Sequence, residues 1–288
     1  MTHHPDVQGF FDPTTHTITY LVSDPATGMA AIIDPVLDYD PATARTSTGS
    51  VDQVMAALRE ARLTLAMVLE THAHADHLTA ADHLRGAEGV PIGIGRQITE
   101  VQSTFAPLYN ASDVTPDGQV FDNLYRDGDV FALGALSTEV IHTPGHTPAC
   151  VSYRIGDAVF TGDTLFMPDF GTARADFPGG DARTLYRSIQ KLLALPGETR
   201  VFVGHDYLPA GREEYRFETT IAEQRASNIH VGGDVSEDDF VAMREARDAT
   251  LKAPALLLPA LQVNIRAGDL PPPDADGRRY LRMPLNVL

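Results

Sequence analysis

Four apolar, strand-like segments of this 288-residue chain each run straight into a histidine or an aspartate. "AMVLET" leads to His72, His74, Asp76 and His77, and "TEVIHTPG" leads to His146. "AVFTG" leads to Asp163, and "RVFVG" leads to His205 and Asp206. Short runs rich in β-branched residues read as buried strands. Loops at the strand ends of one sheet edge converge, and a rigid sheet holds their side chains in place. The four strand ends can therefore converge on one site. Imidazole and carboxylate in combination suit zinc or non-haem iron, with little for magnesium or calcium to prefer. His72 and His74 are two apart, so in an extended loop they point the same way. Asp76 and His77 are expected to turn towards a neighbouring position as a helix begins.

The rest of the chain supplies matching elements. "HTITYLV" and "GMAAIIDP" read as paired strands around the turn "SDPATG". "SVDQVMAALREARL" has helical spacing with Ser50 as N-cap, and "LTLAMVLE" is a strand. A short helix is expected through "TAADHLRG". "VFALGALSTEVIHT", "CVSYRIG" and "DAVFTGD" read as strands, and "DARTLYRSIQKLLALPG" as a helix stopped by Pro196 and Gly197. "REEYRFETTIAEQRAS" and "SEDDFVAMREARDATLKA" are expected to be two further helices, the second opened by Ser236 and Asp239 in capping-box spacing. After Pro254 the chain reads as irregular. Strands at the front and middle with helices between them suit two packed sheets covered outside by helices.

With 22 Lys+Arg against 39 Asp+Glu the formal charge is −17. An acidic surface of that size disfavours nucleic acid and anionic membranes as partners. No unbroken apolar stretch is long enough to span a membrane, and "MTHHPDVQGFFDPTTHTITYLV" lacks the pattern of a signal peptide. Cys150 is the single cysteine, which fits a reducing cytoplasm.

"THAHADH", "TPGH", "TGD" and "GHD", in that order, resemble the metallo-β-lactamase superfamily. Within it, "IDPVLD", "HTPGHTPACVSY", "FTGDTLF", "GTARADFPGGDARTLYRSI" and "HDY" are most similar to persulfide dioxygenases of the ethylmalonic-encephalopathy-protein type. Bacterial β-lactamase-hydrolase-like relatives are similar too, and share the tail "LLLPALQVNIRAGDLPP". The resemblance implies an αββα sandwich of two mixed sheets flanked by helices. It covers residues 1–228, leaving 229–288 as a C-terminal helix and tail packed on the same domain.

The resemblance also implies one Fe(II) per chain on His72, His146 and Asp163, a 2-His-1-carboxylate face with open positions for O₂ and sulfur. The substrate it implies is glutathione persulfide or a similar low-molecular-weight persulfide, oxidised to sulfite. Arg174 matches an arginine that meets a glutathione carboxylate. Tyr207 either lines the site or closes the strand, and a homodimer is among the assemblies allowed. His74, Asp76, His77 and His205 are all retained, so two Zn(II) per chain with Asp163 between them is the competing cofactor set. That set would make a hydrolase of a glutathione thioester or lactone. A non-catalytic metal- or thiol-binding sensor is the third reading, and the intact ligand set argues against it. The remaining histidines have plainer readings. His83 is expected at the surface or behind the ligands, His142 packed, and His3, His4, His16 and His230 facing solvent. Cys150 reads as a small buried residue, and "IGIG" lacks the lysine of a phosphate loop.

Overall fold

The computed structural model describes residues 4–286. One six-stranded sheet has the order β1 (Asp6–Phe11), β2 (Ile18–Ser23), β3 (Met29–Ile33), β6 (Thr64–Leu69), β8 (Ile92–Gly95), β9 (Asn123–Tyr125). Its first three strands pair antiparallel and the rest parallel. The second is β10 (Val130–Leu133), β11 (Leu136–His142), β12 (Val151–Ile155), β13 (Ala158–Phe160), β14 (Arg200–Phe202), β15 (Glu218–Thr220). There β13 and β14 pair parallel and the other neighbours antiparallel. A small sheet joins β5 (Arg45–Ser47), β4 (Val36–Asp40) and β7 (Leu78–Thr79).

The side-chain period of two divides β2 between two cores. Ile18, Tyr20 and Val22 meet Phe160 and Phe202 between the sheets, while Leu21 faces the outer helices. Helices α1 (Gly49–Glu60), α2 (Ala81–Glu88), α3 (Ile98–Leu108) and α7 (Leu257–Asn264) cover the first sheet. The second lies under α4 (Ala182–Leu193), α5 (Ile221–Ser227) and α6 (Glu237–Asp248). The layers are helix, sheet, sheet, helix, as expected. Two tyrosines fasten the sheets to each other where the site loops begin. Tyr20 Oη donates to Val203 O at 2.6 Å, and Tyr153 Oη donates to Glu70 O at 2.9 Å. Both acceptors lie just beyond a strand end, so β6 and β14 deliver their loops at a set separation. No helix among the described residues is long and apolar enough to cross a membrane.

Local differences from the sequence reading have identifiable causes. Ser50 is not the N-cap of α1. The N-cap is Thr48 and the helix starts two residues earlier than expected, while the Ser50 N–H and hydroxyl both turn to the Asp38 carboxylate. The helix expected over 212–227 is confined to α5. Asp206 draws residues 208–216 into a loop by accepting from Leu208 N, Arg216 N and the Arg212 guanidinium. Thr219 and its neighbours then pair with β14, and Thr220 caps α5. Ser236 does cap α6, accepting from Asp239 N. The stretch after Pro254 is not irregular throughout, because α7 packs against β7.

Candidate metal centre

The loop after β6 is pinned at its first residues. Thr71 N and Thr71 Oγ1 donate to the Asp34 carboxylate at 2.7 and 2.8 Å. Thr71 Oγ1 has thereby used its one proton, so its 3.0 Å contact with His72 Nδ1 makes that nitrogen the donor. The lone pair of His72 is left on Nε2, which is buried without a hydrogen-bond partner among the described residues. His146 is set by the same logic. Its Nδ1 lies 2.8 Å from Arg174 O, a carbonyl that only accepts, so Nε2 carries the lone pair.

Asp163 follows β13 through Gly162, whose φ of 47° is left-handed and whose absent Cβ would meet Thr71 Oγ1 at 2.4 Å. Glycine is what lets this loop lie against the first one. Asp163 Oδ2 comes 3.6 Å from His146 Nε2, and Oδ1 comes 3.2 Å from His205 Nε2. Ligand atoms of His72, His146 and Asp163 all lie within 4.8 Å of one another.

His74, Asp76 and His77 form a second set on the same criterion. Asp76 Oδ2 lies 3.2 Å from His77 Nδ1 and 3.6 Å from His205 Nε2. The expected helix does not begin at these residues, since β7 intervenes and α2 starts only at Ala81. Asn264 on α7 holds the turn instead, with Nδ2 donating to His74 O and His77 O at 2.8 Å each. His74 Nε2 faces two buried carboxylates, Asp34 at 3.1 Å and Glu70 at 3.3 Å. His74 Nδ1, His77 Nε2 and Asp163 Oδ1 join His72 Nε2 as buried polar atoms without a hydrogen-bond partner among the described residues. Such atoms are costly unless something binds them, and this donor set fits a metal ion.

The electrostatics are those of a site built around positive charge. Burial would raise Asp163, but His205, His72 and His146 outweigh it and hold the carboxylate well below the usual range. Burial pushes His72 well below an ordinary histidine, with His74 adding to the effect. Burial opposes charge on His205 too, yet Asp163 and Asp76 raise it to about 9. Glu70 is pushed up to about 7, chiefly by burial.

These residues open into a cavity of about 510 Å³, with Asp76, His146 and Asp163 in its wall. Phe166, Phe170 and Tyr207 line it, and the Tyr207 ring stacks on His205 at 5.5 Å. Arg174 also lines it, but its guanidinium is engaged. Nε and Nη2 donate to the Asp176 carboxylate at 2.5 and 2.6 Å, and Nη1 donates to Lys252 O at 2.7 Å. A contact between Arg174 and a substrate carboxylate would require that pair to open. What Arg174 supplies in this arrangement is its backbone carbonyl, on His146.

Among the other histidines, His83 is exposed, and His142 Nε2 is half-buried against Pro148 O at 2.9 Å. His4 is exposed beside Asp157, and His3 lies outside the described residues. His230 and His16 differ from expectation. His230 is buried, its Nδ1 accepting from Thr172 N at 3.0 Å, and His16 is half-buried beside Phe11 and Tyr207. Cys150 is buried, and burial pushes its thiol up to about 12. Asp34 was missed as a site residue although it carries the same signal as the others, a carboxylate directly after the apolar strand β3. Glu70 sits one residue past β6 and was equally legible. Nothing local marks Asn264.

A family model described as the metallo-beta-lactamase superfamily matches residues 13–205. A probable metallo-hydrolase of Burkholderia pseudomallei is 53% identical, over 98% of this chain and 99% of its own length. The beta-lactamase hydrolase-like protein of Xylella fastidiosa is 51% identical over 99% of this chain, which spans 65% of that longer protein. The human mitochondrial persulfide dioxygenase ETHE1 is 31% identical over 90% of this chain and 87% of its own. The crystal structure of ETHE1 from Myxococcus xanthus superposes with a TM-score of 0.73 at 34% identity, covering 92% of this chain and all of that one. The loops that carry the ligands and the sheets that deliver them fall inside these matches, and the chain belongs to the metallo-beta-lactamase superfamily.

Proposed function

We propose that this chain is a non-haem iron persulfide dioxygenase. It converts glutathione persulfide, or a similar low-molecular-weight persulfide, with O₂ and water into the thiol, sulfite and two protons. The observation that carries the reading is the convergence of His72, His146 and Asp163, each histidine having its second nitrogen committed elsewhere. Those three residues would hold one Fe(II), which supplies the redox chemistry and open positions for sulfur and O₂. Thr71 and the Arg174 carbonyl fix the ring orientations, so the donors are arranged before the ion arrives. Tyr207, Phe166 and Phe170 form an apolar wall that limits water around the reacting sulfur. The likeness to the human and Myxococcus proteins supports this substrate class. The lone, buried Cys150 supports a cytoplasmic setting.

The competing reading is a two-zinc hydrolase of a glutathione thioester or lactone. The second set of His74, Asp76 and His77, with His205 close by, favours it, as does the name of the Burkholderia relative. Metal analysis of anaerobically purified protein, paired with an oxygen electrode, separates the two. About one iron per chain with persulfide-dependent O₂ uptake is expected. Two zincs per chain and fast thioester hydrolysis without O₂ uptake would overturn the proposal.

A further inference from the structure

We infer that Arg247 receives a carboxylate of the substrate's carrier, making the outer end of the cavity an anion subsite that selects carboxylated thiols. The inference rests on the reading above that the substrate is carried on such a thiol. Three arginines line the cavity, Arg174, Arg244 and Arg247. Arg174 is saturated by Asp176 and Lys252 O. Arg244 is buried, with Nε and Nη2 on Asp248 at 2.9 and 2.6 Å and Nη1 on Thr172 O. Arg247, exposed in the last turn of α6, has no side-chain hydrogen bond or ion pair among the described residues.

In a chain of net charge −17 an uncompensated cation beside a largely apolar cavity is a selective feature. The Arg247 guanidinium lies 6.0 Å from the Phe170 ring centroid. A cation over a ring is restrained there while its N–H edge stays open to a carboxylate in two-pronged geometry. From Phe170 the rings continue to Tyr207 at 4.9 Å and on to His205 at 5.5 Å. That strip leads from the cation to the metal-binding loops. A tripeptide-sized carrier, roughly 10 Å when extended, covers two of these three steps, those from Phe170 to His205. A carrier anchored at Arg247 can thus direct its sulfur arm towards His146 and Asp163.

The test is calorimetric titration of the intact protein, metal content matched, with glutathione and with its diethyl ester. Wild type is expected to prefer the acid by roughly five- to tenfold, a charge-assisted contact reduced by solvent exposure. Arg247→Ala should abolish the preference, Arg247→Glu should reverse it, and Arg247→Lys should keep part of it. Arg174→Ala should retain it. No preference in wild type, or a wild-type preference in Arg247→Ala, overturns the assignment. Binding needs no turnover, so O₂ uptake is read separately. Intact discrimination without O₂ uptake sinks the dioxygenase reading alone, and O₂ uptake with an indifferent Arg247 sinks the subsite alone.

Discussion

Replacing Asp248 with alanine should destabilise the protein and weaken its hold on metal, although Asp248 is not itself a candidate ligand. Its carboxylate joins two things. Oδ1 takes two N–H groups of Arg244, and Oδ2 accepts from Ala175 N at 2.9 Å. Ala175 is one residue from the carbonyl that orients His146. Arg244 and Asp248 are 1% and 6% exposed as side chains, so truncation strands a guanidinium almost out of reach of water. Breaking a buried pair on one side costs about 3–5 kcal/mol, and the orphaned Ala175 N–H lies within that range of effect. At about 2–4 °C per kcal/mol for a chain of this size, the thermal midpoint should fall by roughly 10 °C. Loosening a partner of a metal-bound histidine costs about tenfold in metal affinity at the lower end of its range. Asp248→Asn keeps an oxygen for Ala175 N, so it should lose stability while holding metal more nearly as wild type does. The paired change Arg244→Met with Asp248→Leu should recover stability but not the loop anchor. Thermal melts and competition with a chelator read the two effects independently. A midpoint within about 2 °C of wild type would refute the energetic argument. A fall in stability with unchanged metal affinity would refute the link from α6 to His146.

Three further outcomes follow from the same contacts. His72→Ala, His146→Ala and Asp163→Ala should each empty the iron site, whereas Asp76→Ala or His205→Ala should keep much of the iron; equal loss of metal in all five would favour the two-metal site. Asn264→Ala removes the amide that holds His74 O and His77 O, which should cost about 1–3 kcal/mol and raise hydrogen exchange in the 71–79 loop, and unchanged protection there would remove α7 from the site. His230 is depressed to about 4 by burial and by the nearby Arg244 and Arg247 cations. The unfolded chain takes up that proton near pH 6.5 while the folded one refuses it until about pH 4. Stability should therefore fall as pH drops through that window, by about 2 kcal/mol at pH 5. Melting from pH 7.5 to 5 should show a smaller drop in His230→Asn than in wild type, and parallel curves would contradict the assignment.

What the chain announces by itself is local and periodic. Runs of β-branched and apolar residues marked β2, β11 and β12 as strands, and the turn chemistry of "SDPATG" marked where β2 reverses into β3. A solvated side chain directly after an apolar run is improbable without a ligand, so the seven candidate donors were visible as residue types at strand ends. What holds the loops that carry these donors was not visible, because much of it comes from partners far along the chain. Asn264 and His74 are 190 positions apart, and Ala175 and Asp248 are 73 apart. The loop over 208–216 shows the same limit. Its residues have helical character, but a buried Asp206 outbids the helix for their N–H groups once β14 and β15 bring them together. Arg174 and Arg247 differ for this reason as well. In the sequence both are arginines in polar stretches, and only the folded chain sets Asp176 and Lys252 O around one of them and leaves the other beside a ring. Periodicity reports which side of an element is buried. Which charge remains unpaired is decided by distances that exist only after the elements have packed.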